Sequence, residues 1–184
     1  MDPKGNTASV TFDQYQFLPI EVTDPYGSKT QSQYDYRIFQ ANSITDANNN
    51  QSKFRFSPLG FLQASYILGS GALTGNSATG DLGDVYGGSI DDPNDSPSVR
   101  YEYDFFNFID HFRPQAAMFN TGHPIYVKTT AKEVHQKALN ANNLTIQTVE
   151  YSDGFGRMIQ TRTQAEQTTF GSEPDGQSLS LIHI

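Results

Sequence analysis

Three copies of one unit follow each other without a gap at the start of this 184-residue chain, opened 22 residues apart by Asp2, Asp24 and Asp46. Each copy begins with a corner: Asp2-Pro3-Lys4-Gly5, Asp24-Pro25-Tyr26-Gly27 and Asp46-Ala47-Asn48-Asn49. Asp first, Pro second and Gly fourth are the preferences of a type I turn, and Asn tolerates the left-handed backbone such corners need. Aromatics recur ten residues after the Asp, at Phe12, Tyr34 and Phe56, and fifteen after it, at Phe17, Phe39 and Phe61. Twenty after it stand Val22, Ile44 and Tyr66. A fixed period of this size marks a repeat architecture, in which one unit cannot bury its apolar face alone. The spacing predicts that Phe12, Tyr34 and Phe56 occupy equivalent, mostly buried sites on successive hairpins.

Within a copy the alternation is clearest at Phe54, Arg55 and Phe56, which places the two rings on one face of a strand and Arg55 on the other. A second corner follows in Ser57-Pro58-Leu59-Gly60, then a second run over residues 61–68. One copy therefore reads as turn, strand, turn, strand. Helix is a poor alternative, because the units are rich in Thr, Tyr, Phe, Asn and Gly and are interrupted too often to nucleate one. The expected organisation is three tandem hairpin repeats over 1–67, a Gly/Ser/Asp-rich loop or insertion over 68–99, further hairpins over 100–163 and a polar tail over 164–184.

Residues 69–98 carry little apolar periodicity and read as an insertion or mobile loop, longer than most connections in a compact domain. Strand character resumes over 100–108, with Tyr101, Tyr103 and Phe105 on one face. Residues 111–122 read as irregular, 124–132 as a strand, and 133–141 as one short helical turn. A further strand over 144–151 meets the Asp153-Gly154 corner, and 158–163 runs back. Asp-Gly between alternating runs is a strong hairpin signal. At least one of Gly154 and Gly156 is expected at positive φ.

The runs FSPLGFL at 56–62 and SDGFGR at 152–157 resemble the YD or RHS repeat, whose core is an aromatic, Asp, two residues, Gly and Arg. Asp153, Gly156 and Arg157 match that core; Ser152 stands in place of its aromatic, Phe61 in place of its Arg, and Gln16 and Ile38 in place of its Gly. Two longer segments, RYEYDFFNF at 100–108 and YSDGFGRMIQTRTQAE at 151–166, resemble the middle region of the B component of the insecticidal Tc toxin complexes, and HPIYVKTTAKEVH at 123–135 adds to that likeness. The resemblance implies an all-β fold, a sheet of repeated antiparallel hairpins forming part of a larger hollow shell. It implies that the shell encloses a toxic polypeptide supplied by a partner C component, with a pore-forming A component as the other partner. Toxic activity and the self-cleaving protease would belong to the C component, and the complex would be secreted or extracellular. The chain then reads as a truncated fragment, beginning in mid-architecture. Its last six residues, Leu179-Ser180-Leu181-Ile182-His183-Ile184, are what the transposase adapter CTGTCTCTTATACACATC encodes, and read as a sequencing artefact.

A formal charge of −8 and a sequence pI near 4.8 argue against a phosphate-backbone partner. Mean hydropathy is low at −0.55, yet 10 Tyr and 13 Phe are available for a core, which fits a sheet with much polar surface. There is no Cys, so disulfides and thiolate chemistry are excluded. No apolar run approaches the roughly 20 residues of a membrane-spanning helix.

Candidate chemical sites are few. Residues 46–50 imitate the start of a calcium loop, but Gln51 replaces its Gly and Ser57 its bidentate Glu. Asp91, Asp92, Asn94 and Asp95 cluster in the long loop and read as a solvated acidic loop, with weak cation binding as the alternative. Gly69-Ser70-Gly71 lacks the following helix, and Gly75 comes one place late for a dinucleotide fingerprint. His111, His123, His135 and His183 have no helical metal spacing. Glu102 and Asp104 fall on one strand face, where they would repel. No Gly-x-Ser-x-Gly elbow is present. The expectation is a structural protein and no enzyme, with no cofactor and no metal. The rival reading is a cell-surface YD-repeat adhesin or glycan-binding module, against which the absence of Trp counts; a β-rich hydrolase is a third.

Overall fold

The computed structural model describes residues 5–69, 84–111, 122–133, 145–164 and 182–183. The chain forms two compact units. The first holds β1 (Ser9–Phe12), β2 (Pro19–Thr23), β3 (Lys29–Asp35), β4 (Gln40–Thr45), β5 (Gln51–Phe56) and β6 (Leu62–Ile67). Of β7 (Val99–Asp104), Val99 and Arg100 belong to the first unit and the rest to the second. The second unit adds α1 (Asn107–His111), β8 (Ile125–Lys132), β9 (Thr145–Ser152), β10 (Met158–Gln164) and the two-residue β11 (Ile182–His183). The fold is all-β: the five-residue α1 is the sole helix among the described residues.

Every pairing is antiparallel and joins strands adjacent in sequence. The register sorts the first unit's side chains onto two faces. Val10 lies opposite Val22, and Ser32 opposite Ile44. Those residues, with Phe12, Tyr34, Phe54 and Phe56, make an apolar face. Glu21, Gln31, Gln33, Ser43, Lys53 and Arg55 alternate onto a polar face. Phe12, Tyr34 and Phe56 are equivalent in that each follows a one-residue register shift in its hairpin. They are not mostly buried: Phe12 is 49% exposed, and Tyr34 and Phe56 are half-buried. Among the described residues of the first unit nothing covers the apolar face over the first copy, where Val10, Phe12 and Val22 are exposed, so the repeat places its aromatics alike without enclosing them.

The third column breaks for a physical reason. The corners after β1 and β3 close between Asp13 and Leu18 and between Asp35 and Gln40, while the corner after β5 closes between Ser57 and Phe61. It is one residue shorter. A slip of one residue moves a side chain to the opposite face. Phe54 therefore faces Ser65, and Tyr66 lies opposite Lys53 on the polar face. Val22 is 41% exposed while Tyr66 is 0% exposed and forms the core with Ala64 and Leu68, against which Ile90 packs.

The corners share one chemistry. At residues 24–28 the Asp24 carboxylate accepts from the amides of Tyr26 and Ser28, both at 2.8 Å. Asp46 does the same for Asn48 and Asn50, and Asp153 for Phe155 and Arg157. At 57–61 the Ser57 hydroxyl takes the amide of Phe61. The fourth residue of each corner is left-handed: Gly27 at φ 85°, Asn49 at 63°, Gly60 at 87° and Gly156 at 82°. Gly154 is also left-handed, at 80°. A Cβ at Gly27 would meet nothing within 4 Å, whereas one at Gly60 would lie 3.0 Å from Cγ2 of Ile38. Gly27→Ala is expected to cost about 1 kcal/mol from backbone strain alone, and Gly60→Ala to cost more. Urea midpoints of the two variants check the ranking.

In the second unit, β8, β9 and β10 form a regular meander, with Tyr126 opposite Tyr151 and Val127 opposite Glu150. Strand β7 ends at Asp104, short of the expected 108, because the Asp104 carboxylate accepts the Phe106 amide and turns the chain into α1. Glu102 does not repel its surroundings: it pairs with Lys128 at 3.2 Å. Within the tail read as polar and adapter-derived, Ile182 and His183 pair with Gln164 and Thr163 along the edge of β10.

Candidate functional site

The most densely connected point of the first unit lies on the polar face of β5 and β6. Residues 84–98 form a strap whose backbone bonds are largely its own: Val85 and Ser96 exchange two, and Asp92 and Asp95 bond back to Ser89 and Asp92. The strap docks through side chains. Its Asp95 carboxylate, fully enclosed at 0% exposure, accepts from the Tyr66 hydroxyl at 2.8 Å, the Gly87 amide at 2.9 Å and the guanidinium groups of Arg55 at 3.3 Å and Arg100 at 3.4 Å. Arg55 also donates to the Gly87 carbonyl at 2.8 Å, and its plane lies over the Tyr86 ring at 4.6 Å. Lys53 approaches the same ring at 4.7 Å. A second buried carboxylate, Asp84, accepts from the Ile67 amide at 2.8 Å and from the Ser98 hydroxyl. Burial, and after it the bond to Asp95, pushes the Tyr66 phenol well above its ordinary range.

Residues 84–98 are thus not the solvated acidic loop expected. Asp95 is committed to four protein donors, while Asp92 caps the amides of Gly88 and Asn94. Among the described residues no group of three or more acidic or His side chains is placed to hold a metal ion.

A second network ties neighbouring hairpins at one end of the sheet. The Tyr36 hydroxyl donates to Asp13 at 2.6 Å, Tyr34 donates to the Pro19 carbonyl at 2.9 Å, and the Tyr15 and Tyr36 rings meet edge to face. The bond to Asp13, aided by burial, lifts the Tyr36 pKa to about 12. Partial burial works to raise the Asp13 carboxyl, but the Tyr36 hydroxyl and the Leu18 and Phe17 amides outweigh it and bring it below its usual value. The corner amides do the same for Asp24 and Asp153, and the Asn50 side chain leads for Asp46.

These lowered carboxylates bind protons more weakly folded than unfolded, so their contribution is present above about pH 4 and is lost as pH falls through the folded values. Tyr36 and Tyr66 act oppositely, contributing below about pH 10 and losing that contribution above it. The thermal midpoint is expected to be flat between, falling on both flanks. An Asp24→Asn, Asp46→Asn double variant should flatten the acid flank, as a pH series of melting curves would show.

Of the repeat positions, Asp24 and Asp46 sit at one end of the sheet and Phe12, Tyr34 and Phe56 on its apolar face. Asp153, Gly154, Gly156 and Arg157 form the corner between β9 and β10, where Arg157 bonds Asp153 at 2.6 Å. Asp2, Gly71, Gly75 and His135 lie outside the described residues, as does most of the helical turn expected at 133–141. The strap hub has no signature in the sequence: Arg55 and Asp95 stand 40 residues apart, and neither carries a local motif for the other.

Antiparallel hairpins with Asp-capped corners, two unlike faces and a strap pinned by a buried carboxylate define an all-β class of fold. No family model matches the chain, and no curated protein matches it by sequence. Its backbone does match solved structures. Against the crystal structure of TcdB2-TccC3 the TM-score is 0.61 at 19% identity, over 96% of this chain and 8% of that one. Against TcdB2-TccC3 without the hypervariable C-terminal region it is 0.60 at 16% identity, over 87% and 10%. The Photorhabdus luminescens Tc holotoxin pore, in a TccC3 variant, gives 0.61 at 16% identity, over 88% and 10%. The resemblance to Tc toxins noted in the residues is therefore matched by a likeness of fold. The chain spans about a tenth or less of the chains it matches.

Proposed function

We propose that this sheet is a segment of the wall of a toxin-enclosing shell of the Tc or RHS kind. The observation that carries the reading is the shared backbone path over 96% of the chain with TcdB2-TccC3. The architecture supports it: hairpins joined in sequence order extend a sheet, and closing such a sheet removes its exposed edges. In this reading the wall has no catalytic role of its own, a partner C component supplies the enclosed polypeptide, and a pore-forming A component receives the complex outside the producing cell.

The test uses the full-length protein with its C component. An added protease should spare the enclosed polypeptide while the wall is folded and digest it once denaturant opens the wall. Digestion at the rate of the free polypeptide would overturn the proposal. The adhesin alternative draws on Tyr26 and Phe155, whose side chains stand 92% and 88% exposed at corner tips. A full-length protein that retained no partner chain, and bound glycans through those rings, would favour it.

A further inference from the structure

We infer that Arg55, Arg100 and Tyr66 form a carboxylate-recognition site that the strap occupies in cis, and that the same site takes an acidic peptide segment of a partner chain when the strap lifts. The inference does not depend on the enclosure reading, since it concerns what one patch of the sheet binds.

Charge complementarity is the first support. Residues 84–98 contain Asp84, Asp91, Asp92 and Asp95 and no Lys or Arg. The polar face beneath presents Lys53, Arg55 and Arg100 in a chain whose formal charge is −8. The strap thus behaves as an acidic ligand laid on a cationic, aromatic patch. The second support is the way Asp95 is held. One carboxylate draws two guanidinium groups and a phenol from the sheet side, the donor set used for binding carboxylates strongly. That set is not saturated: Nε of Arg55 is buried with no hydrogen-bond partner, so a ligand approaching from another angle has a donor waiting. The third is mechanical. The strap's backbone-to-backbone bonds are internal until Ser98 bonds Ser65 and leads into strand β7, so lifting the strap breaks bonds that involve side chains and leaves the ladder between β5 and β6 intact.

Tyr86 completes the patch. It packs edge to face on Tyr66 at 4.9 Å and receives Arg55 and Lys53 on its ring. It leaves with the strap, exposing Tyr66 and freeing both cations. An incoming segment therefore needs an Asp or Glu for the guanidinium pair and gains from an aromatic residue beside it.

The probe is a synthetic peptide copying residues 91–96, blocked at both ends and carrying a fluorophore, titrated by anisotropy into the whole chain. The docked strap should reduce the apparent affinity of the wild type by the fraction of time the site is open. Asp95→Ala, which unpins the strap, should therefore bind the peptide at least about tenfold more tightly. Adding Arg55→Gln to Asp95→Ala should abolish that gain, and a peptide with Asn in place of its last Asp should not bind. If Asp95→Ala does not fold, Asp95→Asn, which removes the charge that holds both guanidinium groups and so loosens the strap while keeping a partner for Tyr66, serves the same titration. Equal affinity of wild type and the folded Asp95 variant, or binding that survives loss of Arg55, overturns the inference. Neither result touches the protease-protection test.

Discussion

Asp95→Ala is expected to destabilise the first unit by about 3–5 kcal/mol, the cost of removing one partner from a buried ion pair and leaving the others unpaired. The deletion strands Arg55, whose side chain is 13% exposed, and leaves the Tyr66 hydroxyl buried without its acceptor. Asp95→Asn should cost less, because the amide oxygen still accepts from Tyr66 or a guanidinium. Asp91→Ala, on the exposed side of the strap, should change stability by less than about 0.5 kcal/mol. Urea denaturation followed by tyrosine fluorescence would rank the three. Equal midpoints for Asp95→Ala and Asp91→Ala would mean that the strap is held by something other than its carboxylate.

The contrast between the corners and the strap explains what could be read in advance. A corner is decided within five residues: Asp supplies the acceptor, Gly or Asn the left-handed backbone, and Asp24, Asp46 and Asp153 reveal this in their own neighbourhood. The all-β class follows from the same local signals repeated. Burial is different. Phe12 and Phe56 share a column, yet their surroundings depend on what lies over the sheet. On the other face of the third copy, Tyr66 is enclosed by residues 84–98, whose composition reads as loop and whose docking is tertiary. The period puts Tyr66 in the column of Val22 and Ile44 because counting residues assumes equal corners. The loss of one residue between Ser57 and Phe61 is invisible to a period of 22 that is otherwise unbroken. Short α1 is hidden in the sequence for a related reason, since the aromatic run 105–108 has strand composition and the Asp104 cap turns it aside.

That shortened corner makes a sharp test possible. Inserting one Asn after Leu59 gives that corner the four intervening residues of the corners at 13–18 and 35–40 only if Ser57 stays opposite Phe61, and Tyr66 then stays opposite Lys53. If instead the present three-residue corner form sets the register of β6 and is kept, the strand slides by one residue and Ser65 and Tyr66 exchange faces. Tyr66 would then join the apolar face with Val22 and Ile44, and Asp95 would lose its phenol donor while keeping two guanidinium groups it no longer meets squarely. The expected loss is about 3–5 kcal/mol, comparable to truncating a buried aromatic. By comparison Tyr66→Phe, which deletes only the hydroxyl, should cost about 1–3 kcal/mol. Hydrogen exchange separates the outcomes: in the slipped variant the amides of Gly87 and Ile67, both now bonded to strap carboxylates, should exchange far faster, while those of β3 and β4 stay protected. If the inserted residue bulges out and those amides keep their protection, the docked strap dictates the register of β6 and the corner merely accommodates it. The hub would then be the cause of the broken column, with the missing residue its consequence.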